Sequence, residues 1–146
     1  DENNGKYQSA GIRFRLRASA DDVNNAKEIG FIFVPQKALN LENVSSIAEY
    51  MDKRANKSLQ NPDYSVTGVA KNDTKHIVYE SYSNFTDYMV HFTGLTNESW
   101  DADKNSKMMA FEFKVATYFK DAQGNTTYVD LNDTWSYNKV AGISAN

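Results

Sequence analysis

Between residues 10 and 18, apolar Ile12, Phe14, Leu16 and Ala18 alternate strictly with Arg13, Arg15 and Arg17. A period of two is the spacing of a β-strand, so one face takes the apolar set and the other takes the arginines. Residues 27–34 follow a different rule. Ile29, Phe31, Ile32, Phe33 and Val34 make a nearly continuous apolar run that stops at Pro35. Such a run predicts a strand buried on both faces. The polar stretch 20–26 between them reads as a turn or a short helical connection.

One segment has helical spacing. Leu41, Val44, Ile47, Ala48 and Met51 form an i, i+3, i+4 stripe, which predicts a helix over 42–55. Asn40 or Asn43 is placed to cap its start, and Lys53 and Arg54 suit the negative end of its dipole. Its polar outer face predicts that it lies across one side of a sheet. Further strands are expected at 64–70, 76–81, 88–92, 107–120 and 126–131. In the longest of these, Phe111, Phe113 and Val115 share one face, while Glu112, Lys114 and Ala116 share the other. Residues 121–125 form a hairpin loop with Gly124 at the left-handed position. The tail 132–146 is expected to form a short strand or one helical turn. There is no βαβ alternation and no internal repeat. The expected fold is mostly β: an antiparallel sandwich or sheet with one attached α-helix. Residues 1–9 read as a linker or disordered start, and 10–146 as a single β-rich binding module.

Composition narrows the function classes. The 146 residues suffice for one domain with a real core. The net charge of −3 offers no bulk attraction for nucleic acid. Without cysteine, disulfides, thiolate metal sites and cysteine nucleophiles are excluded. No apolar run approaches the ~20 residues of a membrane span, so no membrane insertion is expected. The chain begins at Asp1 and reads as a mature fragment or an excised domain. Asn-x-Ser/Thr occurs at Asn43, Asn56, Asn72, Asn84, Asn97, Asn125 and Asn132. These are read as polar turns of a bacterial surface domain. The alternative is a set of glycan acceptors on a eukaryotic surface protein.

Six short segments recur in one pattern: Gly11 to Phe14, Ile29 to Pro35, Phe92 to Leu95, Phe111 to Phe119, Gly124 to Tyr128 and Ser136 to Ala141. Together they resemble a non-catalytic accessory module of secreted, multimodular polysaccharide-degrading proteins. These proteins, of the cellulosome or amylosome type, belong to gut and rumen Firmicutes, ruminococci among them. Trp100 and Trp135 depart from that pattern, which has a Tyr at the first position and a small or basic residue at the second. The resemblance implies an extracellular module, secreted or attached to the cell surface, that sits beside other modules of its parent protein. It also gives a lean toward starch or maltooligosaccharides. It carries no set of functional residues, so a site must come from the residues themselves.

The candidate ligand-binding residues are Trp135, Trp100, Asp101, Asp133, Asn132, Tyr82 and Tyr88. Sugar rings pack their C–H faces on aromatic rings, while their hydroxyls pair with carboxylates and amides. Both tryptophans lie among such groups, and Tyr82 and Tyr88 belong to the aromatic run 79–88. The alternative is that the tryptophans pack beneath loops. Asp101, Asp103, Asn105 and Glu112 occupy positions 1, 3, 5 and 12 of a calcium-loop spacing, with Met108 at position 8. Ser106 stands where that loop needs Gly, and no helix precedes it, so the plain reading is an acidic polar loop. No metal or other cofactor is expected. The arginine face suits either an anionic glycan or phosphate, or cross-strand pairing with acids such as Glu112. His76 and His91 stand alone within strand patterns, and no catalytic motif is present, so the chain is not expected to be an enzyme. The expected function is carbohydrate binding by aromatic stacking. The alternative is a structural spacer or protein-docking module with no glycan site.

Overall fold

A computed structural model of the protein describes residues 2–3, 6–7, 11–93 and 110–142. The strands are β1 (Glu2–Asn3), β2 (Lys6–Tyr7), β3 (Gly11–Ser19), β4 (Ala26–Pro35), β5 (Val66–Lys71), β6 (Val78–Ser81), β7 (Phe85–Thr93), β8 (Phe113–Asp121) and β9 (Thr126–Trp135). The helices are α1 (Ala20–Asn25), α2 (Gln36–Leu41), α3 (Ile47–Ala55) and α4 (Tyr137–Ala141). Apart from the short β1–β2 ladder, the strands form two antiparallel sheets, ordered β3-β7-β6 and β5-β4-β8-β9. The mostly-β fold expected from the patterning is therefore present.

The two apolar patterns account for the layers. In β3, Ile12 and Phe14 are buried and the three arginines are exposed. The apolar side packs on Phe31 and Phe33 of β4 and on Phe113 and Val115 of β8. Edge-to-face aromatic contacts build this inter-sheet core: Phe14–Phe33 at 5.4 Å and Phe33–Phe92 at 4.6 Å between ring centroids. The alternate residues of β4, Ile32 and Val34, face the opposite way and pack with Leu39, Ile47, Tyr50 and Met51 of α2 and α3. Strand β4 is thus covered by a sheet on one side and by helices on the other, as its unbroken apolar run requires. Gly30 lets it sit there. A Cβ at Gly30 would lie 2.5 Å from the Gly68 carbonyl oxygen and 2.6 Å from the Tyr118 ring. The β5–β6 connection passes from one sheet to the other: His76 bridges to Lys71, and the Ile77 amide donates to the Ala70 carbonyl at 2.6 Å.

Several boundaries differ from the sequence expectation. Among the described residues, four short helices stand in place of the single one expected. The expected 42–55 helix begins at Ile47, because Asn43 takes a left-handed φ of 56° and breaks the stripe. Its cap is Ser46, whose hydroxyl accepts from the Glu49 amide at 3.1 Å, rather than Asn40 or Asn43. The Asp130 carboxylate of β9 accepts from the Ile47 amide at 2.8 Å and ties the helix start to the sheet. Leu41, counted in the apolar stripe, is exposed. The chain upstream forms the separate α2, and buried Glu42 follows it. Glu42 accepts from the Gln60 and Asn61 amides at 2.9 and 2.8 Å, and these bonds, led by Gln60, hold its carboxyl below the usual range. The long strand expected over 107–120 starts only at Phe113, which leaves Glu112 outside it. Strand β9 runs on to Trp135 instead of ending at Leu131. The 121–125 loop forms as expected, with Gly124 at φ 88°.

Candidate functional site

On the outer face of the β3-β7-β6 sheet, exposed aromatic rings and charged groups converge. Register sets its membership. Arg13, Arg15 and Arg17 lie opposite His91, Met89 and Asp87 of β7, and Ser19 lies opposite Phe85. Directly paired residues share a face, so all of these sit on the side away from the core. Strand β6 adds Tyr79 and Glu80. A register shift between Val78 and Glu80 marks a bulge, and Arg15 lies 4.3 Å from the Tyr79 ring centroid. Val78 pairs with inward-facing Tyr88, so alternation sets Tyr79 on the outer face, and the bulge turns Glu80, opposite Asp87, to that same face.

The Ser83–Asn84 hairpin completes the group, with the Tyr82 amide donating to the Phe85 carbonyl at 2.9 Å. Across this turn the Tyr82 and Phe85 rings meet at a 35° tilt with centroids 4.3 Å apart. The Arg17 guanidinium lies 3.8 Å from the Phe85 centroid and donates to both Asp87 oxygens, at 3.0 and 3.2 Å. Asp87 is 2 % exposed and Arg17 60 %, so a buried carboxylate holds an exposed guanidinium in one geometry. This hydrogen bonding, chiefly, lowers the Asp87 pKa and raises that of Arg17. Tyr82 is raised as well, first by a hydrogen bond to Glu80, so its phenol stays protonated near neutral pH. Tyr79 and Tyr82 are 50 % and 43 % exposed. The result is a half-open aromatic row flanked by fixed guanidinium donors.

The sequence candidates fall in different places. Tyr82 lies in this row. Tyr88 does not: at 1 % exposed it packs with Ala18, Ile29 and Ala70 between the sheets, which removes it as a ligand contact. Trp135 pairs with Phe113 across β8–β9, and its ring packs edge-on against Phe14 at 5.8 Å. Its indole nitrogen is buried without a hydrogen-bond partner among the described residues, and Lys139 stands 5.4 Å from the ring centroid. That geometry makes Trp135 a wedge at the side of the sandwich instead of an open platform. Asp133 is exposed and accepts from Lys139 at 2.6 Å. Trp100, Asp101, Asp103 and Asn105, and the Asn132 side chain, lie outside the described residues. On the arginine face, Arg17 pairs with Asp87 instead of Glu112, because Glu112 precedes β8 in the other sheet. Tyr79, Phe85 and Asp87 were not among the sequence candidates. The aromatic run 79–88 is the available signal, but the β6–β7 register that turns Tyr79 outward has no local signature.

A groove of about 130 Å³ opens on the helix side, lined by Glu28, Met51, Arg54, Tyr118, Lys120 and Tyr128 among others. Two of its charged groups are already engaged: Tyr118 donates to Glu28 at 2.7 Å, and Arg54 meets Asp63 at 2.8 Å. Among the described residues, no group of three or more His, Asp or Glu side chains is placed to hold a metal ion. No described helix is long and apolar enough to cross a membrane. Comparison with protein-family models, with curated proteins and with solved structures found no match for this chain.

Proposed function

We propose that this chain is a non-catalytic carbohydrate-binding module of a secreted or cell-surface bacterial glycan-degrading system, and that it binds through the outer face of the β3-β7-β6 sheet. The observation that carries this reading is the row of Tyr79, Tyr82 and Phe85 alongside Arg15 and Arg17. Half-exposed tyrosine rings supply apolar surface for sugar C–H faces, and guanidinium groups supply hydrogen bonds to ring substituents. Tyr79, Tyr82 and the arginines are exposed, which suits a polymer lying along the face better than an enclosed monomer. One such row binds weakly, and neighbouring modules of a parent protein add avidity. The sequence resemblance to accessory modules of polysaccharide degraders points the same way. Carbohydrate binding therefore stays the leading reading, with the platform moved from the tryptophans to the tyrosines.

A docking role is the second reading. Strand β6 is an edge strand that exposes Ile77 and Val78 beside it, and free edges accept partner strands. Titration calorimetry against maltoheptaose, cellohexaose, xylohexaose and pectic oligosaccharides separates the two. Binding to one sugar class, weakened about tenfold or more in Tyr79→Ala and Tyr82→Ala, is the expected result. Trp135→Ala, checked for folding by circular dichroism, should bind as the parent does. No heat with any sugar would overturn the glycan reading in favour of docking.

A further inference from the structure

Resting on the glycan reading above, we infer that the ligand is an acidic polysaccharide carrying uronate carboxylates, and that Arg13 and Arg15 recognise its charge. The three arginines of β3 are not equivalent. Arg17 is held by Asp87 in a two-bond pair. Arg13 and Arg15 form no salt bridge among the described residues, and both are exposed. Their cross-strand neighbours are His91 and Met89, neither of them an acid. The acids of this face, Asp87 and Glu80, pair with each other in register at the Arg17 end. The face is therefore polarised. One end combines Tyr82, Phe85 and a neutralised arginine, and the other combines Tyr79 with Arg13 and Arg15, which form no salt bridge among the described residues, Arg15 acting on Asp87 only through its charge.

Arg13 and Arg15 leave β3 two residues apart on one face, so their backbone positions are about 7 Å apart. Both side chains are exposed and project from the solvent side, so nothing in the inter-sheet core requires them. A bound carboxylate would take up their donors in the planar fork geometry that fits it. Tyr79, with Arg15 against its ring, places an aromatic surface beside those donors, which is the combination a charged sugar ring needs. A nucleic acid fits less well. The chain is net −3, and two exposed arginines neutralise too few phosphates to hold a polyanion of that density.

Homogalacturonan isolates charge from sugar identity, because its methyl ester has the same backbone without the carboxylates. Affinity should be measured by calorimetry for the de-esterified polymer, its fully methyl-esterified form, amylose and a single-stranded oligodeoxynucleotide. The expected result is binding to the de-esterified polymer that weakens about tenfold on esterification, and again in about 0.5 M NaCl. The double variant Arg13→Gln/Arg15→Gln, both positions exposed and outside the core, should lose that preference while keeping the parent's thermal midpoint. Equal binding of the esterified polymer or of amylose would overturn the uronate assignment and leave the tyrosine platform standing. Binding of the oligodeoxynucleotide as tight as that of the acidic polymer would also overturn it. Absence of binding to every glycan would overturn both readings together.

Discussion

Strands β3 and β4 are joined by one short helix, yet they meet different surroundings on their two faces. Strand β4 has a sheet on one side and helices on the other, and Ile29, Phe31, Ile32, Phe33 and Val34 are all buried. Strand β3 has the same inter-sheet core on one side and water on the other, and its residues alternate accordingly. The same ladder geometry is thus used once for packing on both faces and once for packing on one face with the other open to solvent. Covering both faces of β4 leaves it no surface for a ligand. Leaving one face of β3 open costs little burial, because Ile12 and Phe14 still fill the core, and it frees three positions for charged side chains.

The widest separation should come from Phe33→Ala set against Arg13→Gln. Phe33 contacts the Phe14, Phe92 and Phe113 rings, so truncation should remove about 3–5 kcal/mol, whereas the exposed arginine change should stay within about 0.5 kcal/mol. Urea unfolding followed by circular dichroism measures both, and similar losses at the two sites would abolish the contrast. Gly30→Ala comes next. Its new methyl would press on the Gly68 carbonyl and the Tyr118 ring, and about 1–3 kcal/mol of destabilisation should follow. A neutral Gly30→Ala would mean that β4 and β5 can separate locally.

The smallest effect is expected at the boundary between core and open face. The Asp87 carboxyl titrates lower in the folded chain than in the unfolded one, chiefly because Arg17 bonds it. Between those two values the unfolded chain binds more protons, so stability rises with pH there. The contribution is complete above the ordinary carboxylate range and disappears as pH falls through the lowered value, below about pH 4. Urea midpoints from about pH 2 to pH 6 should therefore climb less steeply in Asp87→Asn than in the parent chain. Parallel curves would show that the Arg17–Asp87 pair does not couple the open face to folding.

Much of the fold could be read from local pattern. The β3 alternation, the β4 run and the Gly124 hairpin all depend on spacing within a few residues, and all three form. The expected end of α3 at Ala55 matches the structure, but its start does not: the left-handed turn at Asn43 and the Ser46–Glu49 capping box outweigh the apolar stripe. That box is itself a local sequence signal. The site was less legible. Arg15, Arg17 and Tyr82 were visible as an arginine face and an aromatic run. The partners that organise them were not, because Asp87 is seventy residues from Arg17 in the chain and meets it only through the β3–β7 register.

Trp135 shows the opposite error. Its polar neighbours Thr134 and Ser136 suggest a solvated loop, but β9 extends far enough to carry the ring against Phe14. The sequence by itself determined which strands have one apolar face and which have two, because burial selects residue type position by position. Only the tertiary structure decided which rings stay in solvent. Strand register, the β6 bulge and the length of β9 are set by contacts between distant segments, and no short window of sequence contains them.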